Sequence, residues 1–335
     1  MTEWKEYKLG EVITIKYGKD HKNLKDGKYP VYGSGGIMRY ADNFLYDKES
    51  ILIPRKGSLN NIFYREKAFW TVDTMFYSEI DTTKVFPKFL YYQLTLVDFE
   101  NLNVGSAVPS LTIPIINDID ISLPSLSEQK RIASILSSLD DKIDLLHREN
   151  KTLEAMAETL FHQWFIEEAK EDWKEVPLTK IANFLNGLPC QKYPPKNNIE
   201  KLPVLKIREL SNGIGKDCDW ATTDIANEYI VSNGDVIFAW SASLMVKIWN
   251  GENCILNQHL FKVTSDKYPK WFYYFWCKYH LDEFITIAQS HATTMGHIKR
   301  KDLDSAIILL PTDIELEIMN SKIENIFEKI GNNNN

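Results

Sequence analysis

A heptad pattern in the middle of the 335-residue chain constrains its fold more than any other feature. Two interleaved series recur every seven residues, and nine of their ten positions are apolar. The ten seam positions are Ile132, Leu136, Leu139, Ile143, Leu146, Asn150, Leu153, Ala157, Leu160 and Trp164. A repeat of this length is typical of a coiled coil. It predicts a helix of about 40 residues that is about 60 Å long.

The start of this helix is predicted from its flanking residues. Pro124 precedes it, and Ser127 is the expected N-cap, with its hydroxyl bonded to the first turn. Asn150 is the polar residue of the seam. Such a residue either fixes the register of the paired helices or lies at a locally opened, solvated position, and the sequence leaves both interpretations open.

A coiled-coil seam requires a partner helix, and the C-terminal segment has a matching pattern. Its seam positions are Leu316, Met319, Ile323, Ile326 and Ile330. The segment follows Leu310 and Pro311, just as the long helix follows Leu123 and Pro124. It can cover only about half of the long helix. The rest is expected to contact a globular body, another subunit or a second copy of the chain.

The matching Leu-Pro junctions belong to an internal duplication. WKEYKLGEV at the N-terminus resembles WKEVPLTKI, 169 residues later. SILIPRKGS (50–58) resembles DVIFAWSAS (235–243), and FPKFLYY (86–92) resembles YPKWFYY (268–274). The offset grows along the chain, so the second copy carries insertions, most of them around residues 188–230. Each repeat is therefore expected to be one globular body followed by one helix.

Within each body the sequence predicts an α+β fold. Short runs rich in branched and aromatic residues, such as EVITIKY and HLFKV, are typical of strands, and one helix follows each PK-aromatic segment. Two globular domains separated by long antiparallel coiled-coil helices are the expected architecture. The predicted domain limits are 1–125, 126–171 (central helix), 172–311 and 312–335 (C-terminal helix).

The net charge of −7 is unevenly distributed. The four predicted segments carry −1, −4, +1 and −3 in chain order, so the acidity belongs to the two helices. Bodies that are close to neutral can still present a local basic face, so composition neither shows nor excludes nucleic-acid binding. No run of about 18 apolar residues is present and the N-terminus is polar, which together predict a cytoplasmic protein.

Motifs for catalysis or metal binding are missing from the sequence. The four cysteines lie far apart, which makes a zinc site or disulfide framework an unfavoured interpretation. GSGGI (33–37) lacks the GK[ST] ending of a phosphate-binding loop and is predicted to be a flexible turn. No NPPY, GxGxxG or HExxH segment occurs, so no catalytic or metal-binding residue is predicted. The aromatic blocks FLYYQL and WFYYFW are expected in the core rather than stacked on bases.

LPSLSEQKRIASILSSLDDKI (123–143) resembles a phrase of the specificity subunit of type I restriction–modification systems. WKEYKLGEV at the start of the first body and GSAVPSL before the helix are similar to that family as well. The resemblance covers essentially the whole chain. One departure is ELEIMN in the C-terminal helix, which stands where the first repeat has EQKRIA and therefore lacks its Gln.

The resemblance implies a non-catalytic subunit that recognises DNA. Each body would be a target recognition domain for one half of a split DNA sequence, and the helices would set the unread gap. The subunit would also bind two copies of a methyltransferase subunit and recruit a restriction–translocase subunit. S-adenosylmethionine, ATP and Mg would be bound by those partners, with no cofactor on this chain. Because the two bodies differ outside their shared framework, we expect the two half-sites to differ.

Candidate DNA contacts are polar and basic residues in turn-like segments of both bodies. Lys and Arg can bind phosphates, and side chains with paired donors and acceptors can reach base edges. For each single residue, a solvated loop position is the simpler interpretation. The candidates are Arg39, Tyr40, Arg55, Lys56, Ser58, Asn60, Asn61, Arg65, Lys206, Arg208, Asn212, Lys216, Trp240, Ser241, Ser243, Thr293, Thr294, His297, Lys299 and Arg300.

Two other classes of function stay open at this stage. One is a coiled-coil adaptor whose bodies bind proteins and never contact DNA. The other is a divergent DNA methyltransferase or nuclease whose motifs are not recognisable.

Overall fold

The computed structural model describes residues 4–105, 107–290 and 296–334, and the chain divides into two compact units. The units are 1–143 and 144–335, and the division falls inside the long helix. The limits predicted from the sequence separate helices from globular bodies instead. Those limits stay a prediction.

The first unit contains nine strands among its described residues. They are β1 (Lys5–Lys8), β2 (Ile13–Tyr17), β3 (Asp26–Gly33), β4 (Gly36–Ala41), β5 (Ser50–Pro54), β6 (Phe63–Arg65), β7 (Trp70–Thr71), β8 (Met75–Ile80) and β9 (Asp120–Leu123). An antiparallel sheet has the order β2-β8-β5-β6, and a second sheet has the order β4-β3-β7, in which β3 and β7 are parallel. β1 and β9 form an antiparallel pair.

The helices of the first unit are α1 (Pro87–Leu94), α2 (Ile113–Asn117) and the start of α3 (Leu126–His162), which continues as a π-helical turn, Gln163–Glu167. Strand alternation explains the core, since Ile13 and Ile15 are buried while Thr14 between them is exposed. β5 is buried along its whole length, as expected for a strand with neighbours on both sides.

The second unit contains ten strands in the part of it that is described. They are β10 (Lys174–Pro177), β11 (Asn183–Asn186), β12 (Lys201–Leu205), β13 (Trp220–Thr222), β14 (Ile230–Val231), β15 (Val236–Ala239), β16 (Met245–Ile248), β17 (Cys254–Leu256), β18 (Leu260–Thr264) and β19 (Ile307–Leu310). The sheet orders are β11-β18-β15-β16 and β13-β12-β17-β14, and β10 pairs with β19. β12 and β17 are parallel.

The sheets of the two units have the same topology. β2-β8-β5-β6 corresponds to β11-β18-β15-β16, the β1-β9 pair to β10-β19, and β4-β3-β7 to β13-β12-β17. The parallel pair lies at the same place in both units. β14 is an addition at the edge of the second sheet, in the longer copy. The predicted α+β tandem repeat is confirmed.

The second unit contains the rest of α3 and the helices α4 (Ile207–Asn212), α5 (Lys270–Tyr279), α6 (Leu281–Ser290), α7 (Arg300–Ser305) and α8 (Asp313–Asn333). In α5, seven consecutive residues from Trp271 to Cys277 are buried. Phe161 and Phe165 of the long helix segment pack against Trp276. The aromatic block WFYYFW is therefore a core element, as predicted.

The N-terminus of α3 differs from the prediction. The helix begins at Leu126, and the Ser125 hydroxyl accepts the N–H of Glu128 at 3.4 Å, so Ser125 rather than Ser127 occupies the capping position. The prediction of Ser127 was wrong by two residues, because the first turn begins at Leu126, directly after Ser125, and includes Ser127.

Three smaller predictions concern local features. GSGGI forms the tight turn between β3 and β4, with Gly36 at φ +112°. All four cysteines are free and buried. Over the described residues, no helix is long and apolar enough to cross a membrane, and no group of His, Cys, Asp and Glu could hold a metal ion.

Candidate nucleic-acid interface

One loop of the first unit follows the buried strand β5. The Arg55 N–H donates to Thr74 O at 2.8 Å, and Arg55 O accepts the N–H of Leu111 at 3.0 Å. Gly57 adopts φ +94° and donates its N–H to Pro109 O at 3.0 Å. These backbone bonds hold the loop 55–58 against the segment 107–111, so its side chains project from a fixed frame.

The second unit repeats this loop after β15. Trp240 O accepts the N–H of Ile298 at 3.1 Å, and the Ala242 N–H donates to Gly296 O at 2.8 Å. Ala242 has φ +57°, so it shares a positive φ with its counterpart Gly57. The loop 240–243 is therefore held by the segment 296–298 as the loop 55–58 is held by 107–111. Arg55 and Trp240 occupy equivalent positions.

A glycine directly after the outer strand of each four-stranded sheet, β2 or β11, is also duplicated. A Cβ on Gly18 would lie 2.0 Å from Val72 O, and a Cβ on Gly187 would lie 2.3 Å from Asn257 O. Only glycine allows this close approach of two backbone segments. The residues before them, Tyr17 and Asn186, lie beside the loops and contact Arg55 and Trp240 respectively.

Three basic candidates of the first unit project without an acidic partner. The Arg55 guanidinium lies 5.8 Å from the ring centre of Tyr17, and Arg65 lies 5.5 Å from that of Tyr32. Lys56 is exposed. Within the described part of the chain, none of the three forms an ion pair, and the Nε atoms of Arg55 and Arg65 are buried without a hydrogen-bond partner. Their charges are available to an anionic ligand.

Of the other candidates of the first unit, three have side chains that are hydrogen-bonded within the protein and two are exposed. Arg39 is bound by Asp26 at 2.9 Å and Leu24 O at 3.0 Å. Asn60 accepts the N–H of Phe99 at 2.8 Å, and Asn61 donates to Ser34 O at 3.0 Å. These three side chains stabilise loops of the protein. Tyr40 and Ser58 are exposed and can reach a partner.

In the inserted segment of the second unit, two candidates are engaged by acidic groups. Lys206 pairs with Asp219, and Arg208 pairs with the buried Glu209 at 2.7 Å. Asn212 and Lys216 are exposed. The engaged cations stabilise α4 and its surroundings, so the two exposed residues are the better-placed candidates.

Around the loop 240–243 the side chains form a cluster of rings and hydroxyls. Trp240 stacks on Phe261 at 5.6 Å between ring centres and donates its Nε1–H to Asn186 at 3.1 Å. The buried Ser241 hydroxyl lies 3.0 Å from His259 Nδ1. His297 forms a backbone bridge with Ser241.

The remaining candidates of the second unit are more dispersed. Ser243, Lys299 and Arg300 are exposed, and the latter two begin α7. Thr293 and Thr294 lie outside the described residues.

Three residues of this interface were not among the sequence candidates: Tyr17, Asn186 and His259. Each lies outside the loops but contacts one of the loop residues Arg55, Trp240 and Ser241. The alignment of Tyr17-Gly18 with Asn186-Gly187 was the available signal, because it marks a repeated strand end.

The helical seam is paired in the second unit. Ala157, Trp164, Leu316 and Ile323 are buried in its core, with Leu160, Met319 and Ile326 packed against it. At the other end, Asn150 donates to Asn334 at 2.7 Å and accepts from Asn333 at 2.8 Å. Asn150 is thus hydrogen-bonded within the seam, and the pairs it forms are consistent with an antiparallel register.

The seam within the first unit has a different environment. Ile132 packs on the core of that unit, and Leu136 is half-buried. Leu139 and Ile143 are 56% and 50% exposed, and Ile135 beside them is 53% exposed. An apolar helix face of this kind is unusual unless a partner covers it.

A charged cluster fixes the start of α8. The Glu315 carboxylate accepts from Lys170 Nζ at 2.5 Å, from Trp173 Nε1 at 3.0 Å and from the Thr312 N–H at 3.0 Å. The Thr312 hydroxyl caps the helix by accepting the Glu315 N–H at 3.4 Å. The bond from Lys170, followed by those from Thr312, lowers the pKa of Glu315 to about 2. Burial, together with Glu154, raises the pKa of Tyr274, whose hydroxyl donates to Glu154 at 2.5 Å.

Comparisons with known proteins agree with this architecture. The family model described as type I restriction modification DNA specificity domain matches residues 1–155 and 170–335. The MjaIX specificity subunit of Methanocaldococcus jannaschii is 23% identical over 99% of this chain and 84% of its own length. The MjaVIII specificity subunit of the same organism is 27% identical over 71% of this chain and 63% of its own length.

A solved structure shares the fold. The crystal structure of the type I restriction–modification S subunit from M. genitalium has a TM-score of 0.58 at 15% identity, over 99% of this chain and 93% of that one. Both halves of the chain match the family model, and their duplicated sheets and loops coincide with the two matches. The chain therefore belongs to the family of type I restriction–modification DNA specificity subunits.

Proposed function

We propose that this chain is the sequence-recognition subunit of a type I restriction–modification complex, in which each unit binds one half of a bipartite DNA target. The duplicated loop is the observation that carries the proposal. The same backbone frame occurs once in each unit, but it presents Arg55 in one and Trp240 in the other. A repeated frame with different side chains fits two related half-sites of different sequence.

Charge supports a DNA ligand over a protein one. Among the described residues, Arg55, Lys56 and Arg65 of the first unit form no ion pair, and the same holds for three exposed cations of the second unit, Lys216, Lys299 and Arg300. Unpaired cations on a chain of net charge −7 provide local basic surfaces for phosphates. Arg39, Asn60, Asn61, Lys206 and Arg208 then act mainly by shaping the loops.

The helices supply the second part of the proposal. The exposed face of α3 formed by Ile135, Leu139 and Ile143 provides an apolar surface for a methyltransferase subunit. We propose two such subunits per chain, together with a restriction–translocase subunit, acting on cellular DNA in the cytoplasm. S-adenosylmethionine, ATP and Mg are then bound by those partners, and this chain has no catalytic centre of its own.

Two measurements test these assignments. The complex reconstituted with its methyltransferase subunits should shift DNA fragments in a sequence-dependent way, and sequencing of methylated host DNA should show a bipartite site with two different halves. Binding without sequence preference would overturn the recognition proposal. Methyl transfer by the purified chain alone would overturn its non-catalytic role.

The spacer role of the helices has its own test. Deletion of the heptad Ile143–Glu149 removes one complete seam repeat, about 10 Å of helix. The gap between the two half-sites should shorten, or recognition should be lost. An unchanged recognition sequence would refute the spacer role.

A further inference from the structure

We propose that Arg55 and Trp240 are equivalent base-reading residues, Arg55 for a guanine in one half-site and Trp240 for a thymine methyl group in the other. The inference rests on the proposed function, because it assigns chemistry to two residues of the DNA-binding loops. It goes further because it predicts one base in each half-site. It also predicts that the two bases are read by residues at equivalent positions of the two repeats.

The backbone establishes the equivalence. Arg55 O accepts the N–H of Leu111 and Trp240 O accepts that of Ile298, each from the segment that leads into the short helix of its unit. Both residues directly follow an inner strand of a four-stranded sheet, β5 or β15. Both also lie beside the end of the outer strand, at Tyr17 or Asn186. The side chains therefore start from the same place in each unit.

Arg55 has the chemistry for a guanine. Its guanidinium is placed over the exposed ring of Tyr17, and its Nε is buried with no hydrogen-bond partner among the described residues. Because the protein itself covers Nε, the donors that Arg55 offers to a base are the Nη groups of its half-buried side chain, which form no hydrogen bond or ion pair with a described residue. Arginine forms paired hydrogen bonds to O6 and N7 of guanine in the major groove. Arg65 shares the unsatisfied Nε but lies on β6, outside the duplicated loop.

Trp240 has different chemistry in the same place. Its only donor, Nε1–H, is occupied by Asn186 Oδ1 at 3.1 Å, and one ring face is covered by Phe261. The side chain is partly exposed and can offer only an apolar edge to a base. In the major groove the C5-methyl group of thymine is the apolar feature of the base pairs. The pairing of Trp240 with a thymine follows from that match.

The test uses the complex reconstituted with its methyltransferase subunits and a DNA library in which every base of both half-sites is randomised. The variants are Arg55→Ala, Arg55→Lys, Trp240→Ala and Trp240→Phe. Lys48→Ala is the control, because Lys48 is an exposed cation near the opposite end of β5 from Arg55. Thermal unfolding of each variant confirms that it is folded, and Trp240→Phe retains the ring if Trp240→Ala does not fold.

We expect both Arg55 variants to relax a single guanine position in one half-site, with discrimination reduced roughly 5- to 150-fold. Arg55→Lys retains the charge but lacks the rigid planar fork of the guanidinium, so it should relax the same position less than Arg55→Ala does. Trp240→Ala should relax one thymine position in the other half-site, and Trp240→Phe should retain that preference. Lys48→Ala should leave the recognised sequence unchanged.

Two kinds of failure are distinguishable. A wild-type complex without sequence preference would overturn the proposed function itself. A specific wild-type complex whose sequence is unchanged in the Arg55 and Trp240 variants would overturn only this inference. Relaxation at both half-sites by one variant, or at a base other than guanine or thymine, would also overturn it.

Discussion

Gln129 links the long helix to the first globular body, and its replacement is expected to destabilise that body. Its side chain is 1% exposed. Oε1 accepts the N–H of Phe86 at 2.8 Å, just before α1, while Nε2 donates to Pro124 O at 2.9 Å. The Gln of the EQKRI phrase therefore connects the starts of α1 and α3.

The duplication shows what replaces this residue. The equivalent position in α8 is Leu316, which is buried and cannot accept a hydrogen bond. There the N–H of Tyr268, equivalent to Phe86, donates to the Ser265 hydroxyl at 3.1 Å. The C-terminal helix lacks the Gln, and Ser265, three residues before Tyr268, supplies the hydrogen-bond acceptor in its place.

Gln129→Ala would remove the acceptor of the Phe86 N–H. It would also create a small cavity at the helix junction. An unsatisfied buried donor costs about 1–3 kcal/mol, and the lost side-chain volume adds to it. We expect the free energy of unfolding of the first unit to fall by about 2–4 kcal/mol. Gln129→Leu should destabilise the unit too, because the Thr83 hydroxyl, which stands where the second repeat has Ser265, is bonded to Asp81 at 2.5 Å and not to the Phe86 N–H.

Urea unfolding followed by far-UV circular dichroism and hydrogen exchange of residues 86–94 would measure this effect. Gln289→Ala is the matched control, since Gln289 is exposed on α6 and should change the free energy by less than about 0.5 kcal/mol. A loss below about 1 kcal/mol for Gln129→Ala, or equal losses for both variants, would refute the reasoning.

Three further outcomes follow from the structure. The pKa of Glu315 is about 2 in the fold against 4.5 ordinarily, so its stabilisation is complete above pH 4.5 and is lost as pH falls toward 2. Glu315→Gln should therefore lower the Tm above pH 5 and converge with wild type near pH 2, whereas parallel Tm curves would contradict this. Gly187→Ala should cost about 1–3 kcal/mol in urea unfolding, while Gly215→Ala, whose Cβ meets open space, should be near neutral. Replacing Leu139 and Ile143 by Ala should barely change thermal unfolding but weaken co-elution with methyltransferase subunits, and undiminished assembly would argue against that docking face.

Local patterns predicted much of the fold because they are set by short-range physics. Runs rich in branched and aromatic residues coincide with strands such as β2, β5, β15 and β18, and the repeated junctions revealed the duplication. The cap of α3 was misplaced by two residues because two serines flank the helix start and both can serve as a cap.

The arrangement of side chains in the candidate interface required the tertiary structure. Sequence reasoning selected Arg39, Arg55 and Arg208 on the same grounds, as basic residues in turns. Only the folded chain shows that Arg39 and Arg208 are bound by acidic groups while Arg55 is not. Ion pairs between residues that are distant along the chain, or whose backbone conformation is unknown, have no signature in composition or spacing.

The amino-acid sequence alone determined the family, the tandem repeat and the heptad seam, because periodicity and duplication are properties of residue order. The tertiary structure decided which part of that seam is paired. Asn150 bonds to the end of α8, so the C-terminal helix covers the second half of α3, while Leu139 and Ile143 stay exposed. The duplicated sequence already aligns Arg55 with Trp240, but only the tertiary structure shows that backbone hydrogen bonds to segments over 50 residues away hold both loops.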